Sequence, residues 1–421
     1  MLEKILRAIE KIIPKPIYKT GQPIYHFILS LTGAIFYGLP SRKINIVGVT
    51  GTKGKTTTTE LINTILEEAG YKTALASTLR IKTGDDSKRN LYKMTMPGRF
   101  FIHRFLKKAV KEGCSYAIVE ITSEGVKQHR HRLLNLNSLI VTNISPEHIE
   151  SHGSYDKYLA AKLKIAMALE KSGKKNTTII VNADDKESDK FLAVKVPRKI
   201  TYSIDNANPF EISERGSKIT FDNVPIKINL PGQFNIYNAL AAATFAKAEK
   251  IKIETTKKAL EKFSGVRGRM EEVNEGQKFK VIVDYAHTKD SLEKAYCAYV
   301  DREKICVLGS TGGGRDKWKR KEMGAVADKY CKKIILTNED PYNEDPEKIV
   351  RDVSDGIKNT EYKIIMNRRE AIYSALRLAQ KDDVVFITGK GTDPYIMEAS
   401  GKKTPWDDAQ ITREELQKLN S

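Results

Sequence analysis

The stretch from Ile44 to Thr59 limits the folds open to this chain more than any other. An apolar run (Ile44, Ile46, Val47, Val49) leads into Gly51-Thr52-Lys53-Gly54-Lys55-Thr56-Thr57, and a helix-compatible segment follows. Strand, glycine loop and helix make a phosphate cradle. The glycines let backbone N–H groups face an anion, the helix start adds its positive end, and Lys55 supplies a mobile charge. Thr56 offers a hydroxyl for Mg²⁺. The strict pattern G-x-x-x-x-G-K-[ST] fails at its first position, where Val49 stands. The plainer reading is a glycine turn between strand and helix.

Beyond the loop, apolar strands alternate with amphipathic helices: strands near Thr73 to Ser77, Tyr116 to Ile121, Leu139 to Thr142 and Thr178 to Val181, helices over Phe100 to Lys111 and Tyr155 to Leu169. This rhythm predicts a mostly parallel sheet covered by helices, with ligands at the carboxyl ends of its strands. Glu120 to Glu124 and Asn143 to His152 fall at such ends. From Lys199 to Ile228 short strands with turn residues take over, followed by helices over Ile236 to Lys247 and Thr255 to Phe263. A second alternation starts at Phe279, with strands near Val281 to Asp284, Lys304 to Leu308, Lys333 to Leu336, Tyr362 to Met366 and Val384 to Ile387. The fold class is α/β. The domain expectation is a short helical, apolar segment over 1–43, a central domain over 44–267 and a C-terminal domain over 268–421.

The 421 residues fit two or three domains, and 72 lysines and arginines against 53 aspartates and glutamates point to anionic partners. No aromatic-interleaved basic block or nucleic-acid module accompanies this excess, so no nucleic acid is expected as partner. The four cysteines (Cys114, Cys297, Cys306, Cys331) form no C-x-x-C pair and mostly sit in apolar runs. That argues against a disulfide framework and a zinc ribbon, and fits a reducing cytoplasm. Met1 to Lys15 has the spacing of an amphipathic helix without a small-residue cleavage site, so it does not read as a secretory signal. Pro23 to Pro40 is apolar but carries His26, Ser30, Thr32 and Gly33, which favours a buried or interfacial helix over a spanning one. Basic flanks at Lys15, Lys19, Arg42 and Lys43 make association with the inner face of the membrane through residues 1–43 an open alternative.

Five separated stretches carry a resemblance to the Mur ligases, the ATP-dependent amide-forming enzymes of peptidoglycan synthesis, and most to their tripeptide synthetases. They are Gly48-Val49-Thr50-Gly51-Thr52-Lys53-Gly54-Lys55-Thr56-Thr57, Thr142-Asn143-Ile144-Ser145-Pro146-Glu147-His148, Gly268-Arg269-Met270-Glu271, Asp284-Tyr285-Ala286-His287-Thr288 and Gly389-Lys390-Gly391. The resemblance implies a central P-loop, parallel-sheet ATPase domain and a C-terminal Rossmann-like domain that binds an amino acid. It also implies a reaction in which ATP phosphorylates a carboxylate and an amine then displaces phosphate; a monomer is the expectation for the chain. Metal-bridged phosphates and fixed positive charge stabilise such a transfer. Lys55 suits that task, and Thr56 with Glu120 suits a hard Mg²⁺. By resemblance His148 would help hold a second Mg²⁺, and Lys162 would be carbamylated into a metal-facing carboxylate, although a surface lysine is the plainer reading. Asn143 and Arg269 match ATP-contacting positions, and Lys55, Lys162, His148 and Arg269 make up the implied catalytic set. Asp284 and His287 lie where the C-terminal domain would close over the nucleotide, with a strand-end turn as the other reading of Asp284.

Departures from the family pattern bear on the substrate. Thr95-Met96-Pro97-Gly98 resembles the turn that meets the sugar-peptide acceptor, whereas the family's Ser-Ser-His is here Thr122-Ser123-Glu124. Glu339-Asp340-Pro341-Tyr342 stands where enzymes adding diaminopimelate carry Asp-Asn-Pro-Arg, so the arginine fork for a distal carboxylate is missing. The companion motif Gly-Lys-Gly-His-Glu is Gly389-Lys390-Gly391-Thr392-Asp393. L-Lysine or another diamino acid is therefore expected in place of diaminopimelate. Family members carry a longer front domain that grips the UDP portion, so the acceptor is either a small UDP-linked precursor or a lipid-linked one. Rival readings are a ligase of the folylpolyglutamate or cyanophycin synthetase type, and a non-catalytic, membrane-associated ATP-binding partner subunit. The partner subunits of this kind carry a cysteine ribbon that is absent here.

Overall fold

The structure is a computed structural model describing residues 15–147 and 149–420, with the side chains of residues 15–24 and of Arg99 left aside. The amphipathic stretch expected from Met1 lies, up to Pro14, outside the described residues, as does His148. The chain divides into two compact units, one of Met1–Lys55, Ala69–Ile144 and Leu159–Tyr202, the other of Thr56–Glu68, Ser145–Tyr158 and Ser203–Ser421.

The first unit begins with helix α1 (Lys15–Phe36) and is built on an eight-stranded sheet. Its strands are β1 (Asn45–Thr50), β2 (Thr73–Ala76), β3 (Arg80–Thr83), β4 (Asp86–Arg89), β5 (Tyr116–Glu120), β6 (Ser138–Val141), β7 (Thr178–Asn182) and β8 (Arg198–Tyr202). The order is β4-β3-β2-β5-β1-β6-β7-β8, parallel except for the β2-β3-β4 meander. β1 runs into the glycine loop, after which α2 (Lys55–Glu68) belongs from Thr56 onward to the second unit; α3 (Arg99–Lys111) lies in the first, as does α4 (Tyr155–Glu170) from Leu159 onward. The parallel strands are covered on both faces, so β5, β6 and β7 are buried along their whole length and read as unbroken apolar runs.

Two features of this sheet depart from the sequence expectation. The hairpin β3–β4 turns at Gly84-Asp85, and its second strand is exposed throughout, with Asp86, Lys88 and Arg89 along an unpaired edge. Charged edges discourage pairing with other chains, and the same polarity conceals the strand from hydrophobic patterning. Arg198–Tyr202 completes the large sheet beside β7 and does not open the region of short strands.

α1 packs on α3, its His26, Ser30, Gly33 and Ala34 are buried, and the Ser30 hydroxyl donates to Arg132 O at 3.5 Å. A Cβ at Gly33 would lie 3.4 Å from His103 Cδ2, so the helices approach closely there. Neither ring nitrogen of the buried His103 has a hydrogen-bond partner, and burial lowers its pKa to about 4. Among the described residues no helix is long and apolar enough to cross a membrane.

The second unit holds an antiparallel sheet of β9 (Glu211–Ser213), β10 (Gly216–Phe221) and β11 (Val224–Ile228), followed by the alanine-rich helix α5 (Gln233–Ala248). A six-stranded sheet comes next. Its strands are β12 (Glu271–Glu272), β13 (Lys280–Asp284), β14 (Lys304–Leu308), β15 (Lys333–Leu336), β16 (Tyr362–Ile364) and β17 (Val384–Thr388), in the order β12-β13-β17-β14-β15-β16. All neighbours except β12 and β13 run parallel. Alternate residues serve opposite cores: Ile282, Leu308, Ile334 and Phe386 on one face, Val283, Val307, Ile335 and Ile387 on the other. A short ribbon of β18 (Tyr395–Met397) and β19 (Lys403–Pro405) follows.

The spacing that argued against a disulfide framework gave no sign of one bridge, and that reading is corrected here. Cys306 in β14 and Cys331, two residues before β15, form a disulfide across 25 residues of sequence. The crossover between adjacent parallel strands brings them together, a proximity that motif spacing does not encode.

Candidate active site

In the first unit the chemically loaded residues gather at the carboxyl ends of the central strands. β1 lies between β5 and β6, where the strand order changes direction, and a crevice forms at such a point. Gly51 has φ 146°, and an added Cβ there would run into Thr142 Oγ1, so only glycine lets the loop pass β6 so closely. Asn143 fixes the next residues: its carbonyl accepts Thr52 N–H at 2.7 Å, and its side chain accepts Lys53 N–H at 2.9 Å and donates to Lys53 O at 3.1 Å. Gly54 also has positive φ, 80°. Two amines converge on the loop: Lys55 Nζ donates to Gly51 O at 3.1 Å and to Thr52 O at 2.9 Å, and Lys162 Nζ donates to Gly51 O at 2.7 Å. Lys162 is buried. Thr56 and Thr57 are buried in the first turn of α2.

Glu120 ends β5 and is buried, its carboxylate accepting Thr78 N–H at 2.9 Å and the Thr78 hydroxyl at 3.1 Å. The Thr78 hydroxyl in turn pairs with that of Thr95 at 2.8 Å. A chain of polar groups thus joins the metal-suited carboxylate to the turn expected to meet the acceptor. Met96 points inward, its sulfur packed over Gly125 and its carbonyl bound by Arg130. Ser123 is buried just after Thr122, whose hydroxyl caps the helix Ser123–Lys127 by accepting Gly125 N–H at 3.1 Å.

In the second unit Asp284 anchors the turn after Gly268, taking Met270 N–H and Ala286 N–H on separate oxygens, each at 2.7 Å. Asp284 is thus a turn anchor, and the turn it holds carries Arg269. The Arg269 guanidinium lies 4.2 Å from the Tyr285 ring centroid, a cation–π arrangement. His287 Nδ1 lies 2.6 Å from Tyr285 O, and Nε2 lies 3.3 Å from Glu147 Oε1. Glu150 exchanges two bonds with the next loop: its N–H donates to Asp316 Oδ1 and its Oε1 accepts Lys317 N–H, each at 2.8 Å. Contacts to the 284–317 region thus fall on either side of position 148.

After β15 and β17 lies a compact charged group. Lys390 is fully buried and reaches Asp340 at 2.9 Å and Asp393 at 3.4 Å. Burial works against its ammonium, but Asp393, Asp340 and Glu339 outweigh that and raise its pKa. Gly389, with φ 102°, leaves room for the Glu339 carboxylate, itself pushed upward by burial. Tyr342 packs its ring on Gly313. Beside them stands Arg315, absent from the sequence reading. Desolvation opposes its charge, but Tyr285, Tyr342, Glu147 and Asp340 surround it and the balance is upward. Gly312-Gly313-Gly314 immediately before it was the available signal, a flexible loop delivering a cation.

Two family models match the chain, the Mur ligase middle domain over residues 49–246 and the Mur ligase glutamate ligase domain over residues 268–391. The UDP-N-acetylmuramoyl-L-alanyl-D-glutamate–2,6-diaminopimelate ligase of Bacillus velezensis is 36% identical over 405 residues, covering 93% of this chain and 82% of that protein. A solved structure of an enzyme with that name is 27% identical with a TM-score of 0.60, covering 90% of this chain and 79% of the other. Mycobacterium tuberculosis folylpolyglutamate synthase complexed with ADP has a TM-score of 0.69 at 16% identity, covering 86% of this chain and 91% of its own. That last likeness is one of fold alone.

Proposed function

The chain belongs to the Mur ligase family and is a ligase, and from that premise we propose that it uses ATP to join an amino acid to a carboxylate of a UDP-MurNAc-dipeptide-like precursor. The carrying observation is the pair of amines, Lys55 and Lys162, that meet at the Gly51 carbonyl within a loop held by Asn143. Backbone N–H groups of residues 51–57 and the Lys55 ammonium cradle the triphosphate of ATP. Asn143 is the further nucleotide contact proposed for the first unit, and Arg269, Asp284 and His287 are those proposed for the second.

The acceptor carboxylate oxygen attacks the γ-phosphorus and ADP leaves, giving an acyl phosphate. The amino group of the second substrate then attacks the carbonyl carbon, phosphate departs with the bonding pair, and the amine loses a proton. Lys55 balances charge on the transferring phosphoryl group. Among the described residues no cluster of three His, Cys, Asp or Glu side chains could hold a metal alone. A hard Mg²⁺ that takes one or two carboxylates and completes its shell with phosphate oxygens fits that donor set. Thr56, Glu120, His148 and a carbamylated Lys162 would hold it, and it would neutralise phosphate charge.

For the amine we propose a diamino acid with one carboxylate, of the L-lysine kind. Lys390 pairs with Asp340 and Asp393, carboxylates of the kind that meets a side-chain ammonium, and Arg315 beside them is the cation we propose for the α-carboxylate. Tyr342 offers no fork for a further carboxylate. Diaminopimelate, named for the relatives, is the second reading. We further propose a cytoplasmic monomer working at the inner face of the membrane, with Thr95 near the acceptor.

Product analysis with UDP-N-acetylmuramoyl-L-Ala-D-Glu and a panel of amino acids tests the proposal. One new amide with L-lysine supports it, and a product formed only with diaminopimelate overturns the amine assignment.

A further inference from the structure

We propose that the outward face of α1, with the start of α3 and the loop 91–94, is a docking surface for an anionic lipid bilayer. This deepens the peripheral placement proposed above and rests on that reading. Tyr25, Ile28, Thr32, Ile35 and Phe36 recur at helical spacing and form one stripe opposite the buried His26, Ser30, Gly33 and Ala34. The four apolar members are 40%, 50%, 60% and 76% exposed, in chain order. No lysine, arginine, aspartate or glutamate occurs from Thr20 to Ser41. A helix that already buries one face against α3 therefore leaves a second, uncharged face in solvent.

The stripe continues onto neighbouring elements. Phe36 meets Tyr37 edge-on at 5.1 Å, and Tyr37 meets the exposed Phe100 at 6.4 Å. Beside the next residue, Phe101, lies Tyr92 at 5.4 Å, in a loop whose Leu91, Tyr92 and Met94 are all exposed.

Charge identifies the occupant. Residues 15–43 contain four lysines and arginines, residues 87–111 contain eight, and neither segment has an aspartate or glutamate. Arg42, Lys43, Arg89, Arg104, Lys107 and Lys111 are exposed, as are Lys88 and Lys108, which pair with Asp86 just before the second segment. Apolar side chains that enter the acyl boundary while cations meet lipid phosphates make an interfacial anchor, and the described helices are not suited to spanning. The same loop runs directly into Thr95, whose hydroxyl pairs with Thr78 beside Glu120. Docking would hold the acceptor turn at the headgroup level.

The test is co-sedimentation of the full chain with phosphatidylcholine vesicles, with and without phosphatidylglycerol. It compares wild type with Ile35→Glu/Phe36→Glu and with Arg104→Glu/Lys107→Glu, and phosphate release on a soluble UDP-linked acceptor is measured in parallel. The expected result is wild-type binding to the anionic vesicles only, a partition coefficient about tenfold or more lower in each double variant, and unchanged soluble turnover. Wild-type protein that stays in the supernatant, or variants that sediment equally well, would overturn docking. So would a lipid-free dimer dissociated by Ile35→Glu/Phe36→Glu, which would give the stripe to a second copy. Vesicle binding by a protein that turns over no acceptor would sink the ligase reading while leaving the docking surface in place.

Discussion

The Lys162 amine donates to the Gly51 carbonyl at 2.7 Å from a side chain only 2% exposed. A buried ammonium against the phosphate loop is costly to desolvate, so its retention points to chemistry more than to stability. Lys162→Met is expected to fold, with a thermal midpoint equal to or above wild type. Its acceptor-dependent phosphate release should fall by about two orders of magnitude or more, the scale on which a positioned electrostatic group acts. If the lysine works as its carbamate, wild-type turnover will fall in CO₂-depleted buffer and recover with bicarbonate, while the residual rate of Lys162→Met will not respond.

Gly51→Ala combines a positive φ of 146° with a methyl group aimed at Thr142 Oγ1. ATP affinity should drop by about tenfold or more, because a loop displaced by even 1 Å misaligns its N–H groups. Isothermal titration with ADP reads this directly. Thr142→Ala in the same chain removes the collision but not the backbone strain, and should restore only part of the loss.

His103 predicts an acid-sensitive packing of α1 on α3. Its pKa falls from 6.5 in the unfolded chain to about 4 in the folded one. Above pH 6.5 both states are neutral and the residue is silent. Between pH 6.5 and about 4 the unfolded state binds the extra proton, so stability drops as pH falls, by about 3 kcal/mol over that window. Urea unfolding of His103→Leu at pH 7.5 and pH 5 should show a smaller pH dependence than wild type. Equal slopes would contradict the assignment.

Arg368 and Asp408 form a buried bidentate pair at 2.8 and 2.7 Å, and Arg368 also donates to Thr388 O at 2.8 Å. Removing one partner strands the other, so Asp408→Ala should cost about 3 to 5 kcal/mol in denaturant unfolding. Arg368→Met/Asp408→Leu should recover much of that, because a matched apolar pair leaves no orphan charge.

Amine selection turns on Tyr342. Tyr342→Arg should raise kcat/KM for diaminopimelate relative to L-lysine by about tenfold or more, by restoring a carboxylate fork. Arg315→Ala should raise KM for every amino acid tested.

The parallel strands are readable in the sequence because burial on both faces writes unbroken apolar runs such as Tyr116 to Val119 and Ile179 to Val181. The phosphate loop was readable because glycine, lysine and threonine each answer a separate demand of an anion. The hairpin β3–β4 was not, since its outer strand is polar on both faces, and Arg198–Tyr202 was assigned to the wrong neighbours. The Cys306–Cys331 bridge and the Lys390 pairing with Asp340 join positions that only the strand order brings together. Met96 lay in a recognisable turn, but the direction of its side chain depends on packing against Gly125.

The most direct test of the central claim is phosphate release from ATP by wild-type protein and Lys55→Ala, with UDP-N-acetylmuramoyl-L-Ala-D-Glu and L-lysine supplied together and singly. Release that needs both substrates, yields one amide and is lost in Lys55→Ala is the predicted result. Release indifferent to acceptor and amino acid, or equal in the two proteins, would contradict a ligase built on this loop.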